Sequence, residues 1–294
     1  MLALGPLGRQ GPLKDTYEDE DEDWDDEDDQ ALDTVDDSKD RLSRSLSLGF
    51  LAMAPMFLVY ELALLSTGGS QRNTSELVLF QVFELFGEHS DLARWIALGG
   101  ASIAALVRCL RQQWELGPRI LRIAAEGAVG AIILGPLLIG LIHLFGDALP
   151  ALPIGSDVGS GPGIPGLAHA SFVFGAGAYE ELVFRVGAYS ALYTVSIRVG
   201  VFFLGARAAH CRPVAEVVGL LGSAALFSAF HLALFVRWLG AGGEAFDPAL
   251  FYYRALAGVL LGLLFRLRGP GVAAWTHGLF NVALLLGAGP SVFL

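Results

Sequence analysis

Two adjacent carboxylates and an arginine lie inside a long apolar stretch of this chain. Glu180, Glu181 and Arg185 are the only Asp, Glu, Lys or Arg residues between positions 166 and 195. A charge near the middle of a bilayer costs roughly 2.5–3.5 kcal/mol on insertion scales, so such residues usually serve a function. On a helix, Glu181 and Arg185 are one turn apart and can pair, whereas Glu180 lies on another face without a local partner. The spacing predicts a structural Glu181 and a Glu180 available for chemistry; a buried ion-pair network that only fixes packing is the alternative.

Two later apolar stretches carry further polar side chains at helical spacing. Phe227 precedes His231 by four residues, and His277 precedes Asn281 by four. Residues at this spacing share one face of a helix. A glutamate in an apolar pocket is a competent base for water, and a histidine can orient that water or donate a proton. His and Asn donors can stabilise an oxyanion, each typically worth about 10²–10³ in rate. If these side chains converge in one cavity, they suit peptide hydrolysis.

The same side chains include residue types that bind zinc. Glu180, His231 and His277 are the ligands that a metal would use. The chain contains no HExxH motif, and Asn281 is a poor zinc ligand. If Glu180 acts as the base, only two histidines are left, whereas a catalytic zinc usually takes three protein ligands. The number of remaining ligands therefore favours water activated directly by Glu180, with a divalent metal such as zinc as the alternative.

The segments that carry these residues are long enough and apolar enough to cross a membrane. Of the 294 residues, 54% are hydrophobic, and the mean hydropathy is +0.55. The apolar residues are concentrated in runs of about 20, the length of a membrane-spanning helix. We therefore predict an all-α fold, a polytopic transmembrane helix bundle of seven or eight spans. The predicted spans are residues 48–65, 92–110, 120–145, 166–195, 214–238, 250–265 and 272–286, with residues 199–204 as the candidate eighth.

Individual residues indicate how these segments pack. Glu61 interrupts the first span and is expected to face the interior of the bundle. The glycines of the third span, and the pair Gly258 and Gly262, permit close approach between helices. Pro136 is expected to kink the third span. Residues 75–86 form a short amphipathic segment, which predicts an interfacial helix and not a span.

The net charge of the chain is concentrated at its amino terminus. Residues 1–40 contain sixteen acidic and three basic side chains, although the whole chain carries a net charge of only −11. Blocks of like charge repel each other and do not fold. We predict that residues 1–44 form a disordered acidic tail and residues 45–294 a membrane-embedded helical domain. A solvated tail is favoured, and binding of a basic partner or of divalent cations is the alternative.

The basic residues and cysteines predict the compartment. Arg41 and Arg44 precede the first span, so by the positive-inside rule the amino terminus is expected in the cytoplasm. Cys109 and Cys211 fit no disulfide or CxxC metal pattern and are expected to be free thiols. The expected location is a bacterial inner membrane. The expected partners are the lipid bilayer and a peptide, lipidated or membrane protein substrate, and no nucleic acid.

Three motifs in this order resemble the CPBP family of intramembrane proteases, also called Abi. That family includes the type II CAAX prenyl endopeptidases and bacteriocin-processing enzymes. Each motif alone is weak, but all three in order on separate apolar segments are fairly specific. They cover about residues 166–288 and read Glu180-Glu181-xxx-Arg185, Phe227-xxx-His231 and His277-xxx-Asn281.

The resemblance implies a role for each motif residue in an intramembrane endopeptidase. It implies that Glu180 activates a water that His231 helps to hold. It also implies that His277 and Asn281 form the oxyanion site. The implied supporting residues are Glu181, Arg185 and Phe227. The family is commonly labelled metalloprotease-like, although no pattern in this sequence secures a metal. A non-catalytic scaffold of the same fold and an ion-coupled transporter are the alternative functions.

Overall fold

The computed structural model describes residues 46–66, 72–112, 115–144, 166–205 and 207–286, which are almost entirely helical. Six helices in this part of the chain are long and apolar enough to cross a membrane. The predicted all-α polytopic bundle is thus confirmed. The predicted acidic tail, residues 1–44, lies outside the described residues.

The first half of the bundle is built from four consecutive helices. They are α1 (Leu46–Ser66), α2 (Thr74–Phe83), α3 (Ser90–Arg111) and α4 (Leu116–Leu144). A 3-10 segment, Glu84–His89, links α2 to α3. Within it Gly87 has a φ of +58°, a conformation that favours glycine, and the chain bends there.

The second half contains one very long helix, followed by three further long helices and one short one. The long helix consists of α5 (Gly166–Glu181), a π-helical segment (Leu182–Tyr189) and α6 (Ser190–Leu204). It is followed by α7 (Ala208–Ala229), the short α8 (Ala233–Val236), a 3-10 turn (Arg237–Leu239), α9 (Pro248–Arg268) and α10 (Pro270–Leu285).

The seven firmly predicted spans each correspond to a helix, but only six helices among the described residues are long and apolar enough to cross a membrane, because α10 has only 16 residues. Two further features of the prediction were wrong. Residues 199–204, the candidate eighth span, are the end of α6 and do not form a separate helix. The predicted span 214–238 begins earlier, at Ala208, and ends at Ala229. The apolar run beyond Ala229 instead forms a turn and the four-residue α8. As a result His231 lies just after the end of α7 and not inside it.

Helix α10 is 16 residues long and packs against α4, α5 and α9. Glycines on neighbouring helices make room for it. A side chain at Gly127 of α4 would collide with Trp275, and one at Gly130 would collide with Thr276. The Thr276 hydroxyl also donates a hydrogen bond to the Gly127 carbonyl at 3.2 Å. The predicted role of glycines in close packing is confirmed here.

Glu61 of α1 faces other helices, as predicted. Its carboxylate accepts hydrogen bonds from Arg94 of α3 and, at 2.7 Å, from the Tyr179 hydroxyl of α5. Nearby, Ser75 and Glu76 of α2 are buried. The interfacial position predicted for α2 stays a prediction, as does the kink at Pro136, which lies within the continuous helix α4.

Candidate active site

The two glutamates lie where the long helix changes its winding. Small residues, Gly175 to Ala178, precede them at the end of α5, and both carboxylate side chains are buried. After Glu181 the backbone becomes π-helical over Leu182–Tyr189. Such segments are rare and are frequently found at functional sites. No sequence pattern used above predicts a π segment.

Glu181 and Arg185 form the ion pair that their spacing predicts. The Arg185 Nη1 atom lies 3.1 Å from Glu181 Oε1, and both side chains are fully buried. The Nη2 group donates to the carbonyl of Gly258 in α9 at 3.2 Å. The guanidinium also lies 4.7 Å from the centre of the Phe227 ring in α7. Arg185 therefore connects its own helix to α7 and α9.

His277 of α10 lies between the two glutamates, a relationship that the spacing did not predict. Its Nδ1 atom is 2.8 Å from Glu181 Oε1, and its Nε2 atom is 3.3 Å from Glu180 Oε2. A carboxylate oxygen accepts hydrogens, so this arrangement favours a ring that carries hydrogen on both nitrogens. Each ring nitrogen of His277 can then donate to one of the two carboxylates.

His231 is held in the turn that follows α7. Its Nδ1 atom lies 2.9 Å from the carbonyl of Phe227, which can only accept, so Nδ1 carries the hydrogen and Nε2 is an acceptor. The backbone of this turn is fixed by a hydrogen bond from Glu244 N to the His231 carbonyl at 2.9 Å. Burial lowers the pKa of His231, while the nearby charge of Glu180 opposes that shift. Burial thus favours the neutral ring.

Phe227 packs between the two histidines, and its supporting role stays a prediction. The centre of its ring is 5.2 Å from the ring of His231 and 5.5 Å from that of His277, with edge-on geometry in both pairs. One aromatic side chain thus sets the separation of two histidines that come from different elements.

Asn281 makes no hydrogen bond to the other predicted site residues within the described part of the chain. Its side-chain amide lies 3.5 Å from the carbonyl of Val173 in α5, at the long limit for a hydrogen bond. It is one turn from His277 on α10. The structure therefore brings Glu180 into contact with His277 and places His231 on the other side of Phe227 from His277, and the oxyanion role of Asn281 stays a prediction.

Asn73 is a site residue that sequence reasoning missed. Its side-chain Nδ2 donates to Glu180 Oε1 at 2.8 Å, across 107 residues of sequence. Its Oδ1 accepts from the backbone N–H of Ser75 at 2.8 Å and caps the start of α2. An Asn before a helical segment is a recognisable cap signal. No local pattern relates that cap to a glutamate on another helix.

A metal does not fit these residues as they are arranged. Among the described residues, no three His, Cys, Asp or Glu side chains are grouped closely enough to hold a metal ion. Both nitrogens of His277 already face carboxylates, and Nδ1 of His231 is bonded to a backbone carbonyl. The predicted alternative ligand set of Glu180, His231 and His277 is thus not assembled.

An apolar cavity of about 800 Å³ borders the turn that holds His231. Its lining comes from α6, α7, α8, residues 244–246 and α9, and Glu244 is the only charged residue among them. Its lining includes Ala229, Leu232 and Phe251.

Comparison with known protein families identifies the part of the chain that carries the site. The family model Rce1-like, described as type II CAAX prenyl endopeptidase Rce1-like, matches residues 162–283. The matched region contains all three motifs, and it confirms the family that they predict. No curated protein and no solved structure matches the chain. At the level of the family, the match supports a CAAX-type intramembrane endopeptidase.

Proposed function

We propose that this chain, whose residues 162–283 match the type II CAAX prenyl endopeptidase Rce1-like family, hydrolyses a peptide bond with water activated by Glu180. The observation that carries the proposal is the set of contacts made by the buried Glu180 side chain. Its carboxylate is buried, lies 2.8 Å from the Asn73 amide and 3.3 Å from His277 Nε2, and has no arginine or lysine in contact with it among the described residues.

In the proposed reaction, Glu180 and His231 hold the attacking water. Both accept hydrogens: Glu180 through its carboxylate, and neutral His231 through Nε2. A water that donates to both keeps an oxygen lone pair for attack on the substrate carbonyl carbon. Glu180 takes one proton as the new C–O bond forms.

The second half of the reaction needs a donor for the oxyanion and a proton for the leaving amine. The Nε2–H of His277 faces Glu180 before the reaction and can donate to the oxyanion once Glu180 has taken the proton from water, with Asn281 one turn further along α10 as the second donor. Glu180 then passes its proton to the nitrogen as the C–N bond breaks, and the carboxylate is restored. Glu181 keeps His277 oriented through Nδ1 at 2.8 Å.

The proposed mechanism uses no metal. With Glu180 as base and His277 enclosed by two carboxylates, His231 is the one predicted ligand with a ring nitrogen to offer. One histidine is too few for a catalytic zinc site.

The substrate proposed is a peptide segment of a lipidated or membrane protein. The apolar cavity lined by Leu232, the residue after His231, has room for a hydrophobic side chain or lipid of such a substrate. The proposed location is a bacterial inner membrane with the amino terminus in the cytoplasm, supported by Arg41 and Arg44 before α1.

The experiment compares peptides released by membranes that contain either the wild-type chain or Glu180→Gln. Mass spectrometry should find peptides that the wild type releases and Glu180→Gln does not. A farnesylated CAAX peptide and its unmodified counterpart, added to the purified protein, test whether a lipid is required. A non-catalytic scaffold would give identical peptide sets from both membranes.

A further inference from the structure

We propose that Asn73 is a positioning residue for the catalytic base: its amide fixes the Glu180 carboxylate in the orientation needed to bind water. This inference rests on the proposed function, because it assigns Asn73 a role in the reaction proposed for Glu180. Asn73 lies outside residues 162–283, the region shared with the family.

The Asn73 side chain is held at both of its polar atoms. Oδ1 accepts from Ser75 N at 2.8 Å, which caps α2 and fixes the side-chain rotamer. With Oδ1 engaged, Nδ2 points to Glu180 Oε1 at 2.8 Å. A hydrogen bond to a charged acceptor is about twice as strong as one between neutral groups. The Asn73 amide and His277 therefore restrain the two oxygens of Glu180 separately.

A buried network holds the backbone of Asn73 in turn. The Tyr60 hydroxyl accepts from the Asn73 backbone N–H at 2.8 Å and donates to Glu76. Glu76 is fully buried in α2 and pairs with Arg94 of α3 at 2.8 Å and with Arg72 at 2.7 Å. Burial of a charged residue is costly unless it is paired, so each charged member of this network needs its partner in place.

This network ties the amino-terminal helices to the catalytic helix. Arg94 also binds Glu61 of α1, and Glu61 accepts from the Tyr179 hydroxyl at 2.7 Å. Tyr179 immediately precedes Glu180. The network thus reaches Glu180 by two routes, through Asn73 and through the backbone of α5.

The arrangement supports positioning and not proton transfer. The route from Glu76 to Glu180 passes through the Asn73 amide, and an amide nitrogen does not readily accept a proton and pass it on. A carboxylate that must hold water within hydrogen-bond distance benefits from a fixed orientation, because a misplacement of about 1 Å can cost about 10²-fold in rate.

The test uses two variants that preserve the cap but remove the donor. Asn73→Asp has the same shape and keeps an oxygen for Ser75 N, and Asn73→Ser retains a good capping residue. The matched control is Asp247→Asn, the same exchange in reverse at the cap of α9, where Oδ1 accepts from Ala249 N. We expect kcat to fall about tenfold to a hundredfold in both Asn73 variants, with KM changed less than about twofold. The control should keep the wild-type kcat.

Infrared difference spectroscopy of the full chain in detergent provides a readout that needs no substrate. Glu180→Gln identifies the carboxyl band of Glu180, and that band should shift in both Asn73 variants and not in Asp247→Asn. An unshifted band, or a wild-type kcat in variants that fold normally, would overturn the inference. If one of the two Asn73 variants does not fold, the kcat and the Glu180 band of the other variant still test the inference. If Glu180→Gln itself keeps full proteolysis, the proposed function fails, and the band still reports whether Asn73 holds Glu180.

Discussion

Gly177 of α5 and Gly278 of α10 pack against each other with no space for a side chain between them. A methyl group added to Gly177 would stand 2.7 Å from the Gly278 backbone nitrogen, and one added to Gly278 would stand 2.5 Å from the Phe174 carbonyl oxygen. Glu180 follows Gly177 by less than one turn, and His277 is next to Gly278. This backbone contact therefore sets the distance between the base and the histidine beside it.

We predict that Gly278→Ala lowers both stability and activity. Overpacking at a tight contact typically costs about 1–3 kcal/mol, whereas alanine is otherwise the better helix former by about 1 kcal/mol. Thermal unfolding in detergent and peptide release measure the two effects. Gly140→Ala is the control, because a Cβ there meets nothing within 4 Å. Equal unfolding temperatures for the two variants would contradict the role of the contact.

We predict that Glu181→Gln chiefly destabilises the protein. Arg185 is fully buried and would lose its partner, and breaking one side of a buried pair typically costs about 3–5 kcal/mol. His277 Nδ1 would also face a neutral amide in place of a carboxylate. Denaturant unfolding should show the loss. If Glu181→Gln were stable but inactive while Glu180→Gln stayed active, the two glutamates would have been assigned in reverse.

We predict that deletion of residues 1–44 leaves proteolysis intact. The segment combines a dense block of acidic residues with little apolar surface, so it is not expected to fold on its own. Peptide release by the truncated and the full chain, compared at equal amounts of folded protein, measures the effect. Loss of activity in detergent would show that the tail takes part in the reaction.

We predict that activity survives exhaustive chelation and that the purified protein lacks stoichiometric zinc. Metal analysis and peptide release before and after chelation measure this. Inactivation by the chelator, reversed by zinc but not by magnesium, would instead make His231 and His277 ligands.

The sequence predicted those parts of the site that follow from local spacing. Apolar stretches as long as a membrane-spanning helix predicted the helices. The i,i+4 spacing predicted the ion pair between Glu181 and Arg185. The order of the motifs predicted the family. Glu61 was correctly expected to face the bundle, because an isolated charge in an apolar run needs a partner.

The features that were missed depend on contacts between distant segments. His231 was placed inside a helix because residues 230–236 are as apolar as those before them, yet the chain turns after Ala229. The contact of Asn73 with Glu180 joins residues 107 positions apart, and the position of His277 between two glutamates depends on how α5 and α10 cross. Helical periodicity contains none of this information.

The most direct test of the central claim is the rate of peptide-bond hydrolysis by purified Glu180→Gln, measured beside wild type and Glu88→Gln. Glu88 is highly exposed, so its variant controls for the loss of one carboxylate. Removal of a general base typically costs about 10²–10⁴ in rate. We expect a fall of that size in Glu180→Gln, with unchanged unfolding temperature, and none in Glu88→Gln. Wild-type hydrolysis by folded Glu180→Gln would contradict the claim that Glu180 activates the water.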